Sequence, residues 1–577
     1  MADEKKKPSA VEEAKAASHY LRGQIATELV DGNDFFSKGS TQLLKHHGTY
    51  QQDDRDARSA SPASGGKSQK EISFMVRTRI PGGKLTSAQL LAELDLCDTL
   101  GNTTLRVTSR QGLQLHGVLK RNLRATIRRI NEVQLTTLAA CGDVERNVMC
   151  CPAPHHQDPV HDQLQQLCDQ IAEHLRPRTP AYHELWLTDP GTGEQHLAGG
   201  GNGQEIEPIY GKTYLPRKFK TAVGLPGDNC IDIYSHDLGL LAICRDYQIV
   251  GYNVLAGGGF GVTPSAKKTF PALAKRLAFC EPDEVLDVAT AIVKVQRDYG
   301  NRSDRKIARL KYLIADWGLE RFKAKVEQYL GRPLAPPDPE DVWGHDDHMG
   351  WHPQGDGRWF YGLNVENGRI HDAGDLRLKT ALREVCNRFG FPLRLTAHQS
   401  ILFTDVAESQ RAELEQVFRA HGVPLLEEIS TARRWSMACV AFPTCGLAIT
   451  ESERALPAMI DQLDVELVRL GLQHEPFTLR MTGCPNGCAR PYNSDIGLVG
   501  KAAGKYTVFL GGRLLGDRLN FIYKDMVPAE DVVATLVPVL AHFKHARQEG
   551  ETLGDFCHRK GVADLLAFSE QFTSANA

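Results

Sequence analysis

Four cysteines toward the C-terminal end are the residues whose types and spacing most directly imply chemistry. Cys439 and Cys445 lie in MACVAFPTC and Cys484 and Cys488 in TGCPNGCARP, giving C-x5-C, 38 residues, then C-x3-C. Four thiolates brought to one point can hold zinc or an iron–sulfur cluster. Zinc modules pair their cysteines at C-x2-4-C on tight knuckles, which the five-residue gap of the first pair fits poorly. In the second pair Pro485 fixes φ and Gly487 relaxes it, so both sulfurs sit on a turn from which they can face one centre. Buried free thiols are the competing reading, and it suits other members of the 14: Cys168 falls on the helical stripe Leu164, Leu167, Ile171, Leu175, and Cys97 follows Leu90, Leu91 and Leu94.

A second constellation is cationic. Read as one extended segment, Leu105–Val118 puts Arg106, Thr108, Arg110, Gln114 and His116 on one face and Leu105, Val107, Leu113 and Leu115 on the other. The first face is a hydrogen-bonding platform for a polyanion, unless it is simply the solvated side of an antiparallel strand.

The elements that position these groups show an internal echo. LRVTSRQ (Leu105–Gln111) returns as LRLTAHQ (Leu393–Gln399) 288 residues later, with four of seven positions identical. YNVLAGGG from Tyr252 is echoed by YTVFLGG from Tyr506, 254 residues on and in the same order. The pair predicts a duplicated architecture with pseudo-twofold symmetry. The copies are chemically unequal, since the second carries Arg394, Thr396, His398, Leu402 and Thr404 where the first has its platform, so a polyanion would sit once. Ala57–Lys70 and Arg332–Asp347 read as linkers, and stretches such as Val160–Leu175 and Ser452–Leu470 read as helices among β-branched runs, which predicts mixed α and β layers.

At roughly 150 residues per domain, 577 residues make three or four domains. A net charge of −3 argues against a protein that coats nucleic acid or a membrane surface. The longest clean apolar run, Leu238–Cys244, is far short of a bilayer span, and MADEKKKPSA lacks the apolar core of a secretory signal, so cytoplasm and reduced thiols are expected. GGKS at Gly65–Ser68 lacks the P-loop glycine, Ser61 standing there instead, and Gly257 to Gly261 misses the dinucleotide fingerprint and reads as a tight loop. With no flavin or nicotinamide domain, electrons for any redox reaction must come from another protein.

FPTC, TGCPNGCARPY and the cysteine spacing closely resemble the sulfite and nitrite reductase hemoproteins, and the resemblance runs from HGTYQQDDRD at His47 to GDF at Gly554. It implies a [4Fe–4S] cluster on Cys439, Cys445, Cys484 and Cys488, with Cys488 also the axial ligand of a siroheme. The RVTSRQxxQxH segment is similar to the family's siroheme-contacting strand, which assigns Arg106, Thr108, Arg110, Gln114 and His116 to that cofactor, joined by Arg217 and Asn486. Arginine forks suit its many carboxylates. The family's substrate residues match Arg77 in VRTRIPGG, Arg146 in ERNV, and Lys218 and Lys220 in LPRKFK. Two lysines on one side of an extended segment repel unless an anion lies between them, which supports that assignment.

The implied activity is six-electron reduction of sulfite to sulfide in assimilation and cysteine biosynthesis. Sulfite is favoured over nitrite because nitrite-specialised members tend to carry Asn at the place of Lys220. The donor is a separate NADPH flavoprotein, as YQQDDRD suggests, or ferredoxin, as GWHPQGDG, LAITESER and GCARPY suggest. Nitrite reduction, or a non-enzymatic zinc or iron–sulfur sensor, are the alternatives; neither nucleic acid nor membrane is an expected partner. The implied fold is α+β with three domains. Residues 71–140 plus 345–432 form a duplicated ferredoxin-like domain, 141–344 an α/β domain with the lysines, 433–577 another with the cysteines, and 1–70 an arm and linker.

Overall fold

A computed structural model of the chain describes residues 7–60, 70–178, 184–200 and 207–576. Two small antiparallel sheets share one core. The first runs Thr49–Asp53, Ile72–Thr78, Leu113–Val118, Leu105–Val107, Arg369–Ile370. The second runs Gly350–Pro353, Trp359–Leu363, Ile401–Val406, Leu393–Leu395, Lys84–Leu85. Each takes its last strand from the other half of the chain: Ile370 pairs with Leu105, and Leu85 pairs with Leu393. The helices Ser87–Thr99 and Leu378–Phe389 pack together behind the sheets, where Arg383 bridges to Asp95 and Asp98.

Glycine permits the exchange at both crossings. Gly83 (φ +75°) and Gly368 (φ +77°) pass so close to the opposite hairpin that a Cβ would stand 2.4 Å from the Leu395 carbonyl oxygen and 2.2 Å from that of Val107.

Two larger sheets repeat each other strand for strand. One is Met149–Cys150, Thr221–Gly224, Leu238–Arg245, Gln248–Ala256, Lys275–Cys280, and the other Ser436–Ala438, Leu479–Thr482, Ile496–Ala502, Lys505–Leu510, Phe521–Pro528. In each the first three strands are parallel and the last two antiparallel. Even the register agrees, Leu238 lying opposite Thr221 and Ala256 as Ile496 lies opposite Leu479 and Leu510. The predicted duplication is therefore present, and Tyr252 and Tyr506 occupy equivalent places.

Three expectations change. Leu105–Val118 is a hairpin rather than one extended segment, because the chain reverses over Thr108–Gly112; the faces survive because Arg106 lies opposite Gln114. Residues before 71 are more than an arm, since Thr49–Asp53 is an edge strand of the first sheet. Arg332–Asp347 is packed rather than free, with Val342 and Asp347 buried. Within Ala57–Lys70, residues 61–69, and with them GGKS, lie outside the described residues. Gly257–Gly261 is the expected tight loop: a Cβ on Gly258 would stand 2.2 Å from the Tyr234 carbonyl oxygen. No helix among the described residues is long and apolar enough to cross a membrane.

Candidate functional site

The hairpin face divides into groups already satisfied and groups left open. Arg106 is buried and compensated, donating to Glu453 Oε2 at 2.7 Å and to the Ala438 carbonyl at 2.9 Å, while Arg369 shares the same carboxylate. Thr108 Oγ1 accepts from the backbone N–H of Arg110 and Gly112, both at 3.2 Å, so it shapes the reversal. Gln114, with its amide oxygen turned toward Arg77, accepts from Arg77 Nε at 3.0 Å. His116 is buried with neither ring nitrogen paired, and Arg110 Nε is likewise unpaired. Burial holds His116 well below the usual histidine range, with Arg369, Arg106 and Arg77 adding repulsion. Burial also pushes Arg110 down to about 9. Buried donors without acceptors are what a polycarboxylate ligand would satisfy.

The four cysteines converge. Burial raises the thiols of Cys439 and Cys484 to about 12 and that of Cys445 to about 11, and a charge on Cys488 opposes ionisation of each. Cys484 and Cys488 lie on the predicted turn after Leu479–Thr482, with Asn486 Nδ2 at 3.5 Å from Cys484 Sγ. Each of Cys439, Cys445 and Cys484 feels the charge of Cys488 and of one further member of the four, so the set is gathered about one place. Cys488, alone of the four, is exposed. Its carbonyl accepts from Ser109 Oγ at 3.0 Å, which ties the hairpin reversal to the cysteine turn.

Lys218 and Lys220 precede the strand Thr221–Gly224, where Asp237 Oδ2 accepts from the Lys220 N–H at 3.1 Å. Both ammonium groups are held well below the usual lysine range, first by burial and then by neighbouring cations: Arg217, Arg146 and Arg309 at Lys218, and Arg110, Lys218 and Arg309 at Lys220. Among the leading influences at each lysine only the charge of a Cys488 thiolate opposes the shift, so the lysines lie within electrostatic reach of the cysteine turn. Arg77, Arg110, Arg146, Arg217, Lys218, Lys220 and Asn486 all retain partial exposure. Arg146 grips the Gly142 carbonyl through Nε (3.1 Å) and Nη2 (3.0 Å), and Arg77 Nη1 lies 2.8 Å from Cys141 Sγ. Burial lowers Arg217, with Asp143 partly restoring it.

Some participants carried no sequence signal. Arg309 donates to Asp237 Oδ2 at 2.6 Å, and Lys311 donates to the carbonyls of Gly259 (2.9 Å) and Gly261 (3.1 Å), its ammonium pushed down to about 7 by burial. Arg490, two residues after Cys488, donates to the Ser109 carbonyl at 2.9 Å and the Ala397 carbonyl at 3.0 Å, joining the reversals of both hairpins. Only its place in GCARPY hinted at a role.

Comparison with known proteins gives the chain's family. The family described as Nitrite and sulphite reductase 4Fe-4S domain matches residues 141–334, and Nitrite/Sulfite reductase ferredoxin-like half domain matches 67–133 and 352–421. The chain is 44% identical to the sulfite reductase [NADPH] hemoprotein beta-component of Staphylococcus saprophyticus, covering 98% of each chain. It is also 44% identical to the sulfite reductase [ferredoxin] of Synechococcus elongatus, over 98% of this chain and 92% of that one. The solved structure of Mycobacterium tuberculosis NirA protein superposes with a TM-score of 0.78 at 26% identity, covering 97% of this chain and 98% of that one.

Proposed function

The chain belongs to the sulfite and nitrite reductase hemoprotein family, and from that premise we propose that it reduces sulfite to sulfide as an assimilatory hemoprotein. The observation that carries this is the cluster of cations at Lys218 and Lys220 within electrostatic reach of Cys488, beside a hairpin whose buried Arg110 Nε and His116 nitrogens are unpaired. Siroheme coupled to a [4Fe–4S] cluster, when bound, supplies the electrons and the atom that holds the sulfur of sulfite. Cys439, Cys445, Cys484 and Cys488 would hold the cluster, and Cys488 would also serve the siroheme. Arg110, Gln114, His116, Arg217 and Asn486 would receive the macrocycle and its carboxylates, while Arg106 and Thr108 hold the hairpin in shape.

Arg77 and Arg146 take the substrate oxygens by charge-assisted hydrogen bonds. Lys218 and Lys220 face them as acids. Burial, and then crowding by like charge, makes their protons easier to release, which suits delivery to oxygens that must leave as water. Binding an anion restores the charge balance of the pocket, so affinity and proton delivery arise from one arrangement.

The donor is a separate flavoprotein oxidising NADPH. Ferredoxin is the second reading, favoured by equal identity to a relative named for it. Protein expressed with siroheme synthesis available should show red-end bands that shift with dithionite and sulfite, and should form sulfide with reduced methyl viologen. A colourless zinc protein, or a brown one lacking those bands, would sink the proposal. Turnover with purified flavoprotein against ferredoxin decides the donor.

A further inference from the structure

The repeated sheets place a second set of ligand-type side chains where the first repeat has no assigned site. Cys151 follows the strand Met149–Cys150 as Cys439 follows Ser436–Ala438, and the matched strand registers make them equivalent. Cys230 precedes Leu238 by the interval at which Cys488 precedes Ile496, and these two strand starts are equivalent. Two of the four cysteine positions are thus kept as cysteine in the first repeat. Beside them stand Asp228, from the same turn as Cys230, and His348, from the segment that joins the two halves. All four are buried, at 1%, 2%, 9% and 2% exposure for Cys151, Cys230, Asp228 and His348.

Their donor atoms are gathered as one ion requires. One atom from each lies within 4.8 Å of the others. Cys151 Sγ is 2.8 Å from Asp228 Oδ2 and 3.4 Å from His348 Nε2, which is itself 3.0 Å from the same carboxylate oxygen. The other oxygen, Oδ1, accepts from the N–H of Cys230 (3.2 Å) and of Asp346 (3.3 Å), so Oδ2 is held inward. His348 Nδ1 points away from the group, 3.7 Å from Asp346 Oδ2 and with no hydrogen-bond partner of its own. A cavity of about 440 Å³ lined by His155, His161, Asp228, Trp343 and His348 opens beside the group and gives an ion a way in.

We propose that Cys151, Asp228, Cys230 and His348 form a mononuclear metal site for a divalent transition ion, zinc by donor preference. Two thiolates exclude magnesium and calcium, and a compact S2NO set without an open position describes a structural zinc centre. Two thiolates and a carboxylate would leave the filled site at −1; without an ion the Asp228 carboxylate is paired with His348 at 3.0 Å and accepts from the Cys151 thiol. Such an ion would fasten the segment carrying His348 to the first repeat. The site does not depend on the reductase reading.

The test is zinc content and zinc K-edge X-ray absorption of the intact holoprotein, purified from zinc-supplemented culture with its cluster and siroheme loaded and then treated with chelator. About one zinc per chain, with two sulfur neighbours near 2.3 Å and nitrogen or oxygen near 2.0–2.2 Å, is the expected result. Cys230→Ser and Asp228→Asn should each lower retained zinc at least tenfold while the visible cofactor spectrum stays. Wild-type holoprotein with less than a tenth of a zinc per chain, zinc without sulfur neighbours, zinc unaffected in both variants, or a Cys151–Cys230 disulfide would each overturn the proposal. The zinc edge of the wild-type protein gives its answer even if a variant fails to fold, and it is blind to the iron cofactors.

Discussion

Glu93 stands directly behind the strand that carries Arg77, and it shows how single residues set the behaviour of the site. It is 1% exposed, hydrogen-bonded by Thr78 Oγ1, with its second oxygen unpaired. Burial lifts its carboxyl from 4.5 to about 7. Below pH 4.5 the folded and unfolded chains both carry the proton and no cost arises; between 4.5 and about 7 only the unfolded chain ionises, so stability falls as pH rises through that window. The loss is on the order of 3 kcal/mol once complete. Glu93→Gln should therefore raise the melting temperature at pH 8 and leave it nearly unchanged at pH 4.5, in thermal unfolding followed at both. At the proposed proton donors, Lys220→Met should lower kcat by about 10² or more with the visible spectrum intact. Unchanged sulfite turnover would remove Lys220 from proton delivery. Lys220→Arg, which keeps the charge but holds its proton too tightly, should recover substrate affinity ahead of kcat.

Among the elements, the crossing glycines bear the tightest constraint. Gly368→Ala adds a Cβ at 2.2 Å from the Val107 carbonyl oxygen in a left-handed conformation, and should cost roughly 3 kcal/mol through strain and displacement of the hairpin. A lowered melting temperature together with reduced siroheme per chain is the expected reading, because the displaced hairpin carries Arg110 and Gln114. The two faces of Leu105–Val118 and the cysteine turn were legible in the sequence for local reasons: alternation fixes the faces of Arg106 and Gln114, and Pro485 with Gly487 fixes the turn. The reversal at Thr108–Gly112 was not legible, because alternation continues in phase through a turn that returns Gln114 opposite Arg106. Nor were Arg309 and Lys311, whose helix-side positions reach Asp237 and Gly259 only through tertiary packing.

For the whole molecule, the junction between repeats rests on Asp232. Wholly buried, it accepts from Arg480 Nη1 at 2.7 Å, from Arg490 Nε, and from Asn493 Nδ2 at 3.1 Å, all in the other repeat. Asp232→Asn strands two buried guanidinium groups and should cost about 3–5 kcal/mol. Calorimetry should then show the two repeats melting as separate transitions where the parent chain gives one. The duplication itself was visible from two short echoes, since sheet pairing preserves register. That the repeats lock through Asp232 was not visible, because Asp232 and Arg490 occupy equivalent positions and their complementarity appears only when both are placed.

The reciprocal exchange of Lys84–Leu85 and Arg369–Ile370 also has a historical meaning. A single-copy precursor with this topology has an unpaired sheet edge that only a second copy can fill, so it is a strand-swapped homodimer by construction. Joining the two copies in one chain removes the concentration dependence of that assembly and releases each from having to match the other. The joined protein could then keep one cationic hairpin and one four-cysteine turn, on opposite repeats, and so build between them a pocket that no symmetric dimer could hold once.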